Sequence, residues 1–181
     1  MILKLSNELP AIEDVLEQWK TIRSEVLKTL EQVPEHFFTY KPEGNPWSIS
    51  LLMEHIYLSQ LNSVRPFPAV LSGKFGSDCP KDYTQKYSSI FEALQKPSGV
   101  KNPENVAPKN QYSREEIKEL LKKAEDKMLS VCKNKTRTEL EKRGYEHPIF
   151  GFLHLFDWLW LMGLHEYSHL IGLQKRLESQ A

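Results

Sequence analysis

Two histidines late in the chain, His165 and His169, stand four residues apart in a stretch that is otherwise largely apolar. On a helix that spacing puts both side chains on one face, one turn apart, with about 6 Å between their Cβ atoms. Two imidazole nitrogens so placed can meet one divalent ion at about 2.0–2.1 Å. Leu155, Trp158, Leu159, Met162 and Leu173 make up the rest of that face, so the pair is expected to point into a core. Burying two imidazoles side by side requires partners, and a metal ion is an efficient one. The alternative for either residue is a core histidine hydrogen-bonded to a carbonyl.

The segment His165-Glu166-Tyr167-Ser168-His169 also matches H-E-x-x-H, the helix of zinc proteases in which Glu is the general base. Gly172 falls where the extended form of that motif wants glycine, but Lys175 occupies its third ligand position. Twelve residues follow His169 in this sequence, so no downstream helix is expected to return a glutamate ligand. A protease is set aside on these grounds. A third ligand must come from upstream, and His55 is the best placed, following Leu51 and Leu52 and preceding Ile56 at the edge of an apolar stripe. Three protein nitrogens with positions left open is the pattern of a catalytic ion and not of a closed structural one. Glu166, about 100° around the helix from His165, is the nearest candidate for a base, although an outward, non-catalytic position is the preferred expectation for it. His154 would lie about 16 Å from His165 along a shared helix and cannot reach the same ion. His36 and His147 are expected in or beside loops.

The elements that must position these residues are four helices. Pro10 opens the first, whose stripe runs Ile12, Val15, Leu16, Trp19, Ile22, Val26, Leu27 and Leu30, and Pro34 ends it. The segment 41–46 is a turn. Ser48 caps a second helix that carries His55 and runs to about Val64, before Pro66 and Pro68. Residues 74–112, with Gly76, Pro80, Pro97, Gly99, Pro103 and Pro108, form a long loop with short helical turns around Tyr83 to Leu94, a lid or wrap-around crossover. Ser113 and Glu116 make a capping box for the third helix, which frays before Gly144. His147 to Gly151 is a loop, and the fourth helix runs from about Leu153 to Glu178. No segment alternates with period two, so a sheet is not expected. The expected fold class is all-α, a four-helix bundle with long crossover loops, with 1–181 as one domain.

The 181 residues suit one domain, with 40% hydrophobic and 27% charged residues. Lys+Arg and Asp+Glu are equal at 24 each, which leaves no electrostatic footprint for nucleic acid or an anionic membrane. The start of the chain lacks the pattern of a secretory signal, and the apolar stretch from Pro148 to Leu164 is short for a membrane span and carries His154 and Asp157. Cys79 and Cys132 form no CxxC pair, so reduced thiols in a cytoplasmic protein are expected.

Two strings of residues carry a resemblance. Early in the chain stands Pro42-x-x-x-Pro46-Trp47-Ser48-Ile49, leading to Glu54-His55-Ile56; later, His147-Pro148-x-Phe150-Gly151 leads to His165-Glu166-x-x-His169-Leu170-x-x-Leu173-Gln174. In order and spacing the chain resembles the DinB/YfiT-like superfamily. The resemblance implies a four-helix bundle with a three-histidine metal site, and His55, His165 and His169 fall on its three ligand positions. It further implies one divalent ion per chain, nickel or zinc, and a homodimer. Some relatives are transferases or isomerases that use a low-molecular-weight thiol such as bacillithiol, mycothiol or glutathione, and "damage-inducible" in the family name describes expression and not DNA chemistry.

Three functions follow as expectations. In the first, a metal-dependent S-transferase acts on a small-molecule substrate with a thiol held as thiolate near neutral pH, its anionic portion met by Arg65 or by lysines of the 74–112 loop. In the second, a metal-dependent hydrolase uses Glu166 as base. In the third there is no catalysis, and an apolar face around Trp158 and Trp160 is a dimer surface, unless those tryptophans are core.

Overall fold

The computed structural model describes residues 3–4, 8–9, 11–44, 47–84, 87–94 and 103–178. Four long helices dominate it: α1 (Ile12–Glu31), α3 (Ile49–Val64), α6 (Arg114–Cys132) and α8 (Leu155–Glu178). Short helices lie between them: α2 (Glu35–Phe38), α4 (Phe67–Leu71), α5 (Tyr87–Leu94) and α7 (Arg137–Glu141). This is an all-α architecture of the four-helix-bundle kind, with α1 packed along α8 and α3 packed on both α6 and α8.

Local chemistry sets the helix starts. The Asp14 carboxylate accepts the Ala11 N–H at 2.9 Å at the head of α1, whereas Pro10 and Pro46 fall outside the described residues. Ser48 accepts the Leu51 N–H at 3.2 Å and caps α3. Ser113 and Glu116 form the reciprocal capping box at α6, with 2.8 and 3.3 Å bonds. The chain restarts as α4 after Arg65, with Pro66 as its N-cap and Pro68 in its first turn, where proline is tolerated.

The expectation of no sheet is corrected. Strands β1 (Ser77–Asp78), β2 (Arg143–His147) and β3 (Gly151–His154) form a small antiparallel sheet in the order β1-β2-β3. Residues 147–151, expected as a plain loop, are the hairpin turn of β2–β3, with His147 opposite Gly151 at φ 72°. The strands are too short, and too poor in apolar residues, to show an alternation. A Cβ on Gly144 would stand 2.0 Å from the Leu153 carbonyl oxygen, so only glycine lets the strands approach there. Among the described residues the long 74–112 crossover holds β1, α5 and a 3-10 turn, Glu104–Val106; Pro97 and Gly99 within it lie outside them.

The core comes in two apolar bodies. One gathers Trp19, Val64, Phe67, Phe156, Trp160 and Leu164 at the sheet end; the other gathers Val26, Leu30, Phe38, Ile56, Leu121 and Leu170 at the opposite end. Between them lies a polar layer made of Arg23, Gln60 and Glu166, all buried. Trp158 and Trp160 belong to the first body, 5% and 1% exposed, so the dimer surface expected around them is not an exposed face.

Candidate metal centre

α3 and α8 pack against each other and bring His55, His165 and His169 together. The Nε2 atoms of His55 and His165 are 3.3 Å apart, and those of His169 and His165 are 3.0 Å apart. Nitrogens bound at about 2.0–2.1 Å around one ion stand about 2.9 Å apart in a right-angled arrangement and about 3.4 Å apart in a tetrahedral one. The observed separations therefore fit an ion held by three Nε2 atoms. The rings meet edge to face, His55 with His169 and His165 with His169 both at 89°. Trp47, just before α3, lies with its ring centroid 4.8 Å from that of His55.

The electrostatics favour ligation. Burial pushes the pKa of His55 down. It pushes His165 well below the usual histidine range, with His169 and His55 adding to the effect and His147 contributing less. Burial lowers His169 to about 3, helped by His55 and by the half-buried Arg176. All three imidazoles are thus neutral at pH 7, the state in which a ring nitrogen offers its lone pair to a metal. His55 Nδ1 donates to the Val106 carbonyl at 2.8 Å, which leaves Nε2 as the free lone pair. Buried His165 Nδ1 has no hydrogen-bond partner among the described residues. No carboxylate belongs to this group among the described residues. With the protons on Nδ1, three converging Nε2 lone pairs without an anion repel one another and are satisfied together by a cation, so the donor set fits a divalent ion.

Glu166 does not face outward; that expectation is corrected. Its side chain is fully buried and turned away from the histidines. Arg23 Nε donates to Oε1 at 2.5 Å and Arg23 Nη2 to Oε2 at 3.0 Å, while Trp19 Nε1 and Gln60 Nε2 donate to Oε2 at 2.7 and 2.6 Å. Arg23 Nη1 donates to the Leu121 carbonyl at 2.9 Å, so one guanidinium joins α1, α3, α6 and α8. A carboxylate held by four donors is poorly placed to take a proton as a general base. Sequence reasoning missed Arg23 and Gln60. The signal was there: a charged residue within the apolar stripe of Trp19, Ile22 and Val26 must be paired once that stripe is buried.

The remaining histidines lie apart. His154 does not continue the fourth helix; it ends β3 and caps α8, its Nδ1 accepting the Asp157 N–H at 3.1 Å. Its Nε2 lies 3.3 Å from Asp157 Oδ2, to which Tyr83 also donates. His147 is half-buried on the hairpin against Phe150 and Trp158, and His36 is exposed in α2. Both cysteines are free. Burial raises the Cys79 pKa and takes Cys132 up to about 12, so neither is a ready thiolate. Arg65 is exposed at the end of α3, and Lys109 of the crossover is exposed beside Glu104.

Comparison with known proteins adds the following. The model of the DinB superfamily matches residues 12–171. YfiT from Bacillus subtilis, described as a probable metal-dependent hydrolase with an unusual four-helix bundle topology, is similar in structure with a TM-score of 0.60 and 16% identity, over 92% of this chain and 87% of that one. TT2238, described as a four-helix bundle protein, gives a TM-score of 0.53 at 18% identity, over 90% of this chain and 96% of that one. At these identities the likeness is one of fold. No curated protein matches the chain in sequence. No described helix is long and apolar enough to cross a membrane.

Proposed function

The chain belongs to the DinB superfamily, and on that premise we propose that it is a metal-dependent S-transferase that joins a low-molecular-weight thiol to a small electrophilic substrate. The observation that carries this reading is the convergence of three neutral Nε2 atoms with no carboxylate among them. A divalent ion held by His55, His165 and His169, with nickel or zinc as first choices, would lower the pKa of a thiol and present it as a nucleophile near pH 7.

What the chain's own residues do is consistent with that division of labour. The three imidazoles hold charge-neutral ligand positions. Glu166 is occupied by Arg23, Gln60 and Trp19, so the site offers no free carboxylate base. Neither cysteine is a ready thiolate, so the sulfur nucleophile would arrive with the cofactor. Arg176, half-buried, donates to the Trp47 carbonyl at 3.2 Å and lowers the pKa of His169. Positive charge so close to the histidines favours a ligand with an anionic portion.

A hydrolase is the second reading, favoured by the description of YfiT. Water would then take the thiol's place, and Glu166 would serve structure and not proton transfer. The reading also takes the protein as cytoplasmic and homodimeric, the latter checked by light scattering. The main test has two steps. Elemental analysis of purified protein should give one equivalent of metal per chain, lost in His55→Ala. The loaded protein should then accelerate conjugation of a thiol, drawn from bacillithiol, mycothiol and glutathione, to a model electrophile. Conjugation no faster than with His55→Ala for every thiol overturns the transferase reading; ester or amide hydrolysis by the same loaded protein would replace it with the second.

A further inference from the structure

Glu54 precedes His55 on α3 and is 3% exposed, yet none of its hydrogen-bond partners is a cation. Its Oε2 accepts the backbone N–H groups of Lys109 and Asn110 at 2.7 and 2.8 Å, and its Oε1 accepts the Asn110 side-chain amide at 2.8 Å. Adjacent residues on a helix point about 100° apart, so Glu54 reaches the crossover while His55 reaches the other histidines. The same stretch of crossover returns to His55, because the Val106 carbonyl accepts its Nδ1–H. Two further side chains of α3 hold the stretch at its ends. Asn62 donates to the Asn105 carbonyl at 2.8 Å, and Ser50 Oγ both donates to the Tyr112 carbonyl and accepts the Tyr112 N–H, at 2.8 and 2.7 Å. Residues 105–112 are therefore a strap stapled along α3, with Glu54 as its central staple and Val106 as its working end.

We infer that Glu54 is a positioning residue of the metal centre, which acts by holding the strap so that the Val106 carbonyl fixes the tautomer and ring plane of His55. The inference deepens the metal reading above and rests on it for its consequence, though the effect on His55 itself does not require the ion. An imidazole can present either nitrogen, and only the partner of the other one decides which. Were Val106 to move away, His55 would be free to carry its proton on Nε2, the atom that faces His165. A carboxylate suits the staple because all three groups aimed at it are N–H donors. Glutamine could keep all three bonds if the Asn110 amide flips, whereas leucine offers no acceptor and loses all of them.

The test compares wild type, Glu54→Leu and Asn110→Ala, the last an exposed position whose loss removes one staple bond while the helix stays untouched. Two quantities are read in folded protein: the ¹⁵N shifts of the His55 ring without metal, and zinc and nickel dissociation constants by competition with a chelator. The wild type should show a single Nδ1–H tautomer. Glu54→Leu should show mixed tautomers and affinity weaker by about 10–100-fold, the range typical of losing an outer partner of a ligand. Asn110→Ala should shift both in the same direction by less, and it decides the matter alone if Glu54→Leu does not fold. A wild-type tautomer and wild-type affinity in the folded variants, with only thermal stability lowered, would make Glu54 a structural clamp and overturn the inference. If wild type takes up neither metal, the metal reading fails, and the ring shifts still decide whether the strap governs His55.

Discussion

The start of α8 and its middle both draw histidine inward, His154 buried and His165 and His169 half-buried, and they do so under opposite conditions. At the first turn His154 is matched to a carboxylate: it caps the helix through the Asp157 N–H, and its other nitrogen lies beside Asp157 Oδ2. Three turns further on, His165 and His169 face His55 with nothing but nitrogen between them. The nearby carboxylate, Glu166, is turned toward α1 and paired with Arg23. A buried histidine is thus not in itself a site. What separates the two regions is whether the second nitrogen meets an anion or another lone pair, and only the latter leaves a vacancy in charge that a cation relieves.

The largest effect concerns the carboxylate that the middle of α8 keeps away from its histidines. Glu166→Ala would leave Arg23 buried and unpaired, at a cost of about 3–5 kcal/mol, read by urea denaturation. Replacing the whole layer with apolar residues, Arg23→Met with Gln60→Leu and Glu166→Leu, should recover part of it, since the layer then joins the two apolar bodies while the Trp19 N–H is left without its acceptor. A stable, metal-loaded Glu166→Ala protein would mean that Glu166 is not the lock between helices that its four bonds describe.

Next comes the ion. Metal at a thousand times its dissociation constant should stabilise the fold by about 4 kcal/mol, seen as a rise in Tm. The rise should vanish in His165→Ala and persist in His154→Ala; a rise surviving in the former erases the contrast between the two regions. Acid sharpens it. His169 and His147 have folded pKa values lowered to about 3 and about 4, against about 6.5 in the unfolded chain. Between those limits the unfolded state binds more protons, so stability rises with pH there and is lost as pH falls from about 6.5 toward 4 and 3. Metal-free protein followed by denaturant titration from pH 7 to 4 should show that decline, and bound metal should be released over the same descent as protons compete for Nε2.

Much of this contrast was legible in the residues. The His165/His169 spacing, the capping box at Ser113 and the cap at Ser48 can be read without coordinates, because each rests on local geometry or on a turn of one helix, whereas the choice of His55 rests on the family resemblance. Three features could not be read so. The orientation of Glu166 depends on where Arg23 of α1 arrives, 143 residues away in sequence. The hairpin around Gly151 arises from glycine geometry and close strand approach, and its strands are too short to alternate. His154 looked like a helical residue on the apolar face because nothing local shows that the chain is still extended until Leu155.

Removing the other histidine is a smaller step. His154→Ala takes away the cap of α8 and the neighbour of Asp157, at about 1–3 kcal/mol by denaturation, and should leave metal stoichiometry at one per chain. Loss of metal in this variant would mean that the start of α8 sets the pose of His165 from a distance.

The finest test is a single hydroxyl. Tyr83 reaches from the crossover to donate to Asp157. Burial raises the pKa of that carboxylate, while charge on His154 and the Tyr83 hydrogen bond oppose the rise. Tyr83→Phe deletes one of the opposing influences and keeps the ring that packs near Phe152 and His154. Stability should fall by about 0.5–1.5 kcal/mol, and the Asp157 carboxyl, followed by ¹³C NMR, should titrate at higher pH than in wild type. Affinity for zinc or nickel should not change, because no hydrogen bond joins Asp157 to the three metal-facing histidines among the described residues. A weaker site in Tyr83→Phe would show that the crossover couples the two regions, with the anion at the start of α8 tuning the cation at its middle.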